Sequence, residues 1–154
     1  MKIALIILLV IVVLIALYFI STYNTLVSLR NKVKDQWSQI DVVLKNRNDL
    51  IPNIVETVKG YAKHEKDTLD AVIEARSKAV SATNKDDEIK ASGEVTQALG
   101  RLFALAESYP ELKANTNFLD LQNKLNEIEE KIRYARQFYN DSVLTYKNKI
   151  EMFP

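Results

Sequence analysis

Residues 3–20, IALIILLVIVVLIALYFI, are apolar without interruption, and no proline or glycine follows them until Pro52. As a helix, these eighteen residues span roughly 27 Å, close to the hydrocarbon thickness of a bilayer. Lys2 can snorkel at one end, and Tyr18, Phe19 and Tyr23 suit the interfacial belt at the other. A cleavable signal peptide is the competing reading, but its apolar region is usually shorter and no small-x-small cleavage site follows this one. The chain has no cysteine, which excludes a lipoprotein anchor. Residues 1–22 are therefore read as a retained transmembrane anchor and residues 23–154 as the domain it carries.

The 134 residues beyond Ile20 carry 20 basic and 20 acidic side chains, enough chain to bury one core. So even a balance gives no basic excess of the kind a nucleic-acid partner needs. The zero cysteine count leaves the redox compartment open. Arg30, Lys32 and Lys34, with Lys45 and Arg47 beyond, outweigh Lys2 and the terminal amine. The positive-inside tendency thus favours a cytoplasmic domain.

Apolar residues recur at intervals of three and four and do not alternate, so the whole domain reads as helix. Leu26, Val33, Trp37, Ile40 and Leu44 form one stripe that continues from the anchor with no linker. Pro52 disfavours helical geometry at Ile51 and lacks an N–H, so the first helix is expected to stop near Asn48. Asn53 and Glu56 have capping-box spacing for a second helix, with Asp49 as the alternative cap. That helix is expected to run to about Thr83, with Val55, Val58, Ala62, Leu69, Val72 and Ile73 inward. The polar stretch TNKDDE then starts a third helix, where Asp86, Asp87 and Glu88 favour the positive end of the helix dipole. SYPELKANTN breaks the pattern again. A fourth helix follows with a seam through Leu121, Leu125, Ile128, Ile132, Ala135, Tyr139, Ser142 and Tyr146, coiled-coil-like in its steps of four and three. The expectation is an all-α chain: one transmembrane helix continuous with an up-down-up-down four-helix bundle.

Nothing in this pattern carries chemistry. A di-metal carboxylate centre in a bundle needs Glu-x-x-His on two helices, and the lone histidine, His64, has Tyr61 three residues before it. His64-Glu65 begins like a zinc-protease motif, but Thr68 stands where the second histidine belongs. No serine lies in a Gly-x-Ser-x-Gly elbow, and the three glycines are too dispersed to cradle a phosphate. No catalytic residue, metal or cofactor is expected.

Two features resist a purely bland account. Glu65 and Arg76 fall in register with the apolar residues of the second helix, about 16 Å apart along it, so as structural buried charges each needs a partner on another helix. Antiparallel placement sets Arg101 near Glu65 and Glu94 near Arg76. Gly60 costs about 1 kcal/mol relative to alanine inside a helix, which suggests a close helix approach.

The chain resembles the LemA family of bacterial membrane proteins. The likeness runs through YNTLV at 23–27, Trp37, IDVVLKNRNDLIPNIVETVKGYAKHE at 40–65 and EAR at 74–76. It continues through GRL at 100–102, ESYPELKAN at 107–115, FLDLQNKL at 118–125, ARQFYNDSV at 135–143, Tyr146 and the closing Phe-Pro. The resemblance implies one amino-terminal helix in the bacterial cell (inner) membrane, a helical domain and no established catalytic residues. It also implies membrane proteases or TPM-domain proteins as partners, and a further aromatic-rich stretch past Phe153 and Pro154.

The resulting expectation is a non-enzymatic scaffold on the lipid bilayer that forms homo-oligomers or docks a membrane partner, with a signalling adaptor or sensor stalk as the alternative. Asp49, Pro52 and Asn53 would form the turn furthest from lipid. With the fourth helix returning from that turn, Tyr146 is expected level with about residue 19 and Ile150 with about residue 15. Tyr146, Ile150 and Phe153 would then meet the membrane alongside Tyr18, Phe19 and Tyr23.

Overall fold

A computed structural model describes residues 2–152. The described chain is helical, with no strand: α1 Lys2–Tyr61, α2 Lys66–Ser81, α3 Lys85–Ala106, α4 Pro110–Lys113 and α5 Thr116–Glu151. It divides into two compact units, Met1–Gln39 with Ala135–Pro154, and Ile40–Tyr134.

The largest departure from the expected pattern is at Pro52, which lies inside α1 and does not end it. Asp49, Pro52 and Asn53 are exposed helical positions, and the predicted turn there does not exist. Proline leaves the carbonyl four residues earlier without its helical donor. That carbonyl belongs to Asn48, and Arg76 Nε donates to it at 2.8 Å. Ile51, Ile54, Val55 and Val58 are buried around the proline, so packing favours continuing the helix on this line. The chain turns after Tyr61 instead. Ala62 N–H still donates to the Val58 carbonyl at 2.8 Å, and Glu65 N–H to the Ala62 carbonyl at 3.2 Å. Glu65 occupies the N-cap position of α2 without a side-chain cap bond.

The other boundaries follow local chemistry. Asn84 caps α3, its side chain accepting from Asp87 N–H at 3.0 Å, with Asp86, Asp87 and Glu88 in the first turn. Pro110 occupies the first turn of α4, where a missing N–H does no harm. Asn115 accepts from Phe118 N–H at 2.9 Å and so starts α5.

The central unit has one hydrophobic core. α1 contributes Ile51, Ile54, Val55 and Val58, α2 Leu69, Val72 and Ala75, α3 Val95, Leu99 and Leu102, and α5 Phe118, Leu121 and Leu125, while Leu112 of α4 closes one end. Ile73, expected inward, is 50% exposed, because Leu69, Val72 and Ala75 set the buried face of α2. α1 and α5 run in opposite senses here: Arg47 meets Glu129, Thr57 meets Asn117 and Tyr61 meets Asn115. The predicted close approach at Gly60 is also absent. A Cβ built there has nothing within 4 Å, and the glycine lies in the exposed last turn of α1.

In the other unit, Trp37 of α1 and Tyr139 of α5 pack edge to face, with ring centroids 5.2 Å apart. Thr22, Leu26, Leu29 and Val33 on α1 are half-buried, whereas residues 2–21 are exposed throughout. On α5 the matching seam is Ala135, Tyr139, Ser142, Val143 and Tyr146.

Candidate functional site

Among the described residues the fully buried charge is Arg47, on α1, with 0% of its surface exposed. Its Nη1 donates to Glu129 Oε1 at 2.8 Å and to Thr96 Oγ1 at 3.0 Å. Its Nη2 donates to the Ser92 hydroxyl at 3.1 Å and the Ser92 carbonyl at 3.3 Å. One planar guanidinium thus joins α1, α3 and α5, a fork geometry that lysine cannot reproduce. The sequence carried a signal for this role. Ile40, Leu44, Arg47, Ile51, Ile54 and Val58 step by four and three, so Arg47 shares the apolar stripe as Glu65 and Arg76 do.

Glu65 and Arg76 are half-buried, each with a partner on another element, though not the expected one. Glu65 Oε1 accepts from the Tyr109 hydroxyl at 2.9 Å, and that bond raises the phenol above its usual pKa. Arg76 serves the Asn48 carbonyl. Arg101 is exposed, and Glu94 pairs with Lys78 at 3.4 Å. The turn between α2 and α3 lies at residues 82–84, as expected, but Arg76 reaches α1 and Glu65 stands ahead of α2, so neither meets the predicted charge on α3.

Between α1, α2 and α3 lies a pocket of about 400 Å³, lined among others by Asp41, Lys45, Arg47, Asn48, Arg76 and Glu88. Arg47 Nε, Asn48 Oδ1 and Glu88 Oε2 are buried without a protein partner, and all three residues line it. Burial raises the Glu88 pKa, and the negative charge of Asp41 and a side-chain hydrogen bond to it raise it further, while Lys85 works in the opposite direction. These three unpartnered atoms are departures from the usual rule that buried polar groups find a hydrogen-bond partner. Among the described residues no group of three or more His, Cys, Asp or Glu is placed to hold a metal ion, and His64 is exposed in the turn before α2.

The second candidate surface is the apolar segment of α1. It is long and apolar enough to cross a membrane, and none of it is covered by the rest of the described chain. Tyr18, Phe19 and Tyr23 are exposed at its end. Tyr146 is half-buried and Ile150 exposed on α5, while Phe153 lies outside the described residues.

Comparison with known proteins agrees with the motifs. The chain is 25% identical over 136 residues to Protein LemA of Metamycoplasma hominis, covering 88% of this chain and 62% of that protein. It is 27% identical over 177 residues to Magnetosome protein MamQ 2 of Paramagnetospirillum magneticum, covering 96% of this chain and 65% of that protein. It is 25% identical over 158 residues to Magnetosome protein MamQ of Magnetospirillum gryphiswaldense, covering 86% and 58%. The chain thus spans less than two thirds of the length of these relatives. The profile of the LemA family matches residues 36–154, the larger part of the sequence, and the chain belongs to the LemA family.

Proposed function

We propose that this protein is a membrane-anchored helical scaffold without chemistry of its own, which self-associates or docks a membrane partner. The observation that carries this reading is the continuity of α1. The same helix supplies the membrane-length apolar segment and one wall of the central core, with no linker between. The four long helices are read as an up-down-up-down bundle, the arrangement that short connections favour. Relatives named as LemA and as magnetosome proteins are compatible with a membrane-associated role.

Exposed apolar residues supply the contact surfaces such a scaffold needs. Ile73 and Val80 lie seven residues apart on one face of α2. The test is extraction of the full chain into nanodiscs followed by mass measurement and imaging. Large ordered particles that disperse when Ile73 and Val80 are changed to serine support the scaffold. A strict monomer that co-purifies with no membrane protein would overturn it.

A further inference from the structure

We infer that the last turns of α5 lie on the lipid headgroup layer beside α1 and bind anionic lipid, giving the chain a second membrane contact. The inference rests on α1 crossing the bilayer, and two independent observations set the level of α5 against it.

The first is the Trp37–Tyr139 ring contact. With the helices in opposite senses and equal rise, Ile150 comes level with about residue 26 and Met152 with about residue 24, to within a turn. The second is the half-burial of Thr22, Leu26 and Leu29 on a helix whose residues 2–21 are all exposed; among the described residues of this unit, α5 is the element that packs beside α1. α5 therefore covers α1 as far as the first residues past Ile20. This corrects the sequence expectation, which put Tyr146 and Ile150 inside the apolar segment.

The corrected level is the chemically suitable one. Measured from Ile20, Met152 stands roughly 6 Å further from the hydrocarbon, within a headgroup layer about 5–7 Å deep, and Ile150 roughly 9 Å, at its outer edge. Ile150 is 55% and Met152 70% exposed, side chains that favour an apolar boundary over water. Lys147 and Lys149 are exposed on the same turns, without an ion pair among the described residues. Glu151 is the only acid between residues 142 and 152. Flexible ammonium groups on long stems can reach down to lipid phosphates from this height. Leu144, equally exposed, comes level with about residue 32 and stands too far out to share the contact.

The chain has no cysteine, so single labels can be placed in the full protein directly. Leu14→Cys, Leu144→Cys, Ile150→Cys and Met152→Cys carry an environment-sensitive fluorophore in nanodiscs containing spin-labelled lipid. Quenching by headgroup-labelled lipid is expected to be several-fold stronger at 152 and 150 than at 144. It should weaken in phosphatidylcholine relative to phosphatidylglycerol, and weaken again when Lys147 and Lys149 are both changed to glutamine. Quenching at 152 no stronger than at 144, with the label at 14 quenched by acyl-chain spin labels, overturns the contact and leaves the anchor standing. Quenching indifferent to lipid charge and to the lysine changes overturns the assignment to anionic lipid. A label at 14 that acyl-chain labels fail to quench overturns the membrane reading itself.

Discussion

Arg76 Nε donates at 2.8 Å to the Asn48 carbonyl, the group that Pro52 leaves without its helical donor. A side chain of α2 thereby completes a backbone bond of α1, and the proline becomes a docking point between two helices. Arg76→Met is expected to lower the unfolding free energy by about 1.5–3 kcal/mol, the range for a hydrogen bond from a charged donor. In a Pro52→Ala background the alanine N–H restores the helical bond, so the same change should cost much less. Chemical denaturation of the four proteins in the cycle reads the coupling. Equal losses in both backgrounds would mean that Arg76 does not substitute for the missing N–H.

Arg47 and Glu129 form a pair 2.8 Å apart, in which the arginine side chain is fully buried and the glutamate side chain 26% exposed. Removing the acid strands a buried cation, whereas removing the arginine leaves an acid that still reaches water. Glu129→Ala is therefore expected to cost about 3–5 kcal/mol, and Arg47→Met less, because methionine fills part of the same volume without a charge. Arg47→Lys should not restore wild-type stability, since an ammonium cannot span Glu129, Thr96 and Ser92 together. The reverse order of the first two losses in denaturant midpoints would refute this account.

Glu88 titrates above its ordinary value of 4.5 because partial burial withdraws it from water and Asp41 places a negative charge beside it. A carboxyl whose pKa is raised by folding binds its proton more tightly in the native state. Its favourable contribution is complete below about 4.5 and is lost as pH rises through the higher folded value. Glu88→Gln should accordingly be more stable than the parent protein at pH 7, with the difference shrinking towards pH 4. Thermal midpoints across that range check the slope, and parallel curves would rule out Glu88 as its source.

Gly60 has open space where a Cβ would lie and no unusual backbone angle. Gly60→Ala should raise stability by up to about 1 kcal/mol through reduced freedom of the unfolded chain. A loss of stability would reveal a contact at Gly60 that the fold does not show.

Helical content, the long apolar segment and the starts of α3 and α5 were legible in the sequence, because each depends on neighbours within a few residues. Apolar spacing specifies a helix, Asp86, Asp87 and Glu88 mark one start and SYPELKANTN the break before another, and eighteen apolar residues in a row need no partner to be recognised. The same local reasoning failed at Pro52, where it weighed a missing hydrogen bond without the donor that supplies it. Arg76 stands 28 residues away along the chain, and no local rule pairs it with Asn48. Arg47 shows the same division. Its place on the apolar stripe was readable, but its burial depends on Ser92, Thr96 and Glu129 arriving from two other helices. The level of α5 beside α1 likewise rests on the ring contact of Trp37 and Tyr139, residues far apart in the sequence. Sequence by itself determined which segments are helical and which faces are apolar, since propensity and capping act over one or two turns. Only the tertiary structure decided which carbonyl, carboxylate or ring meets each of those faces, because burial favours pairing a polar group with whatever partner packing brings within reach.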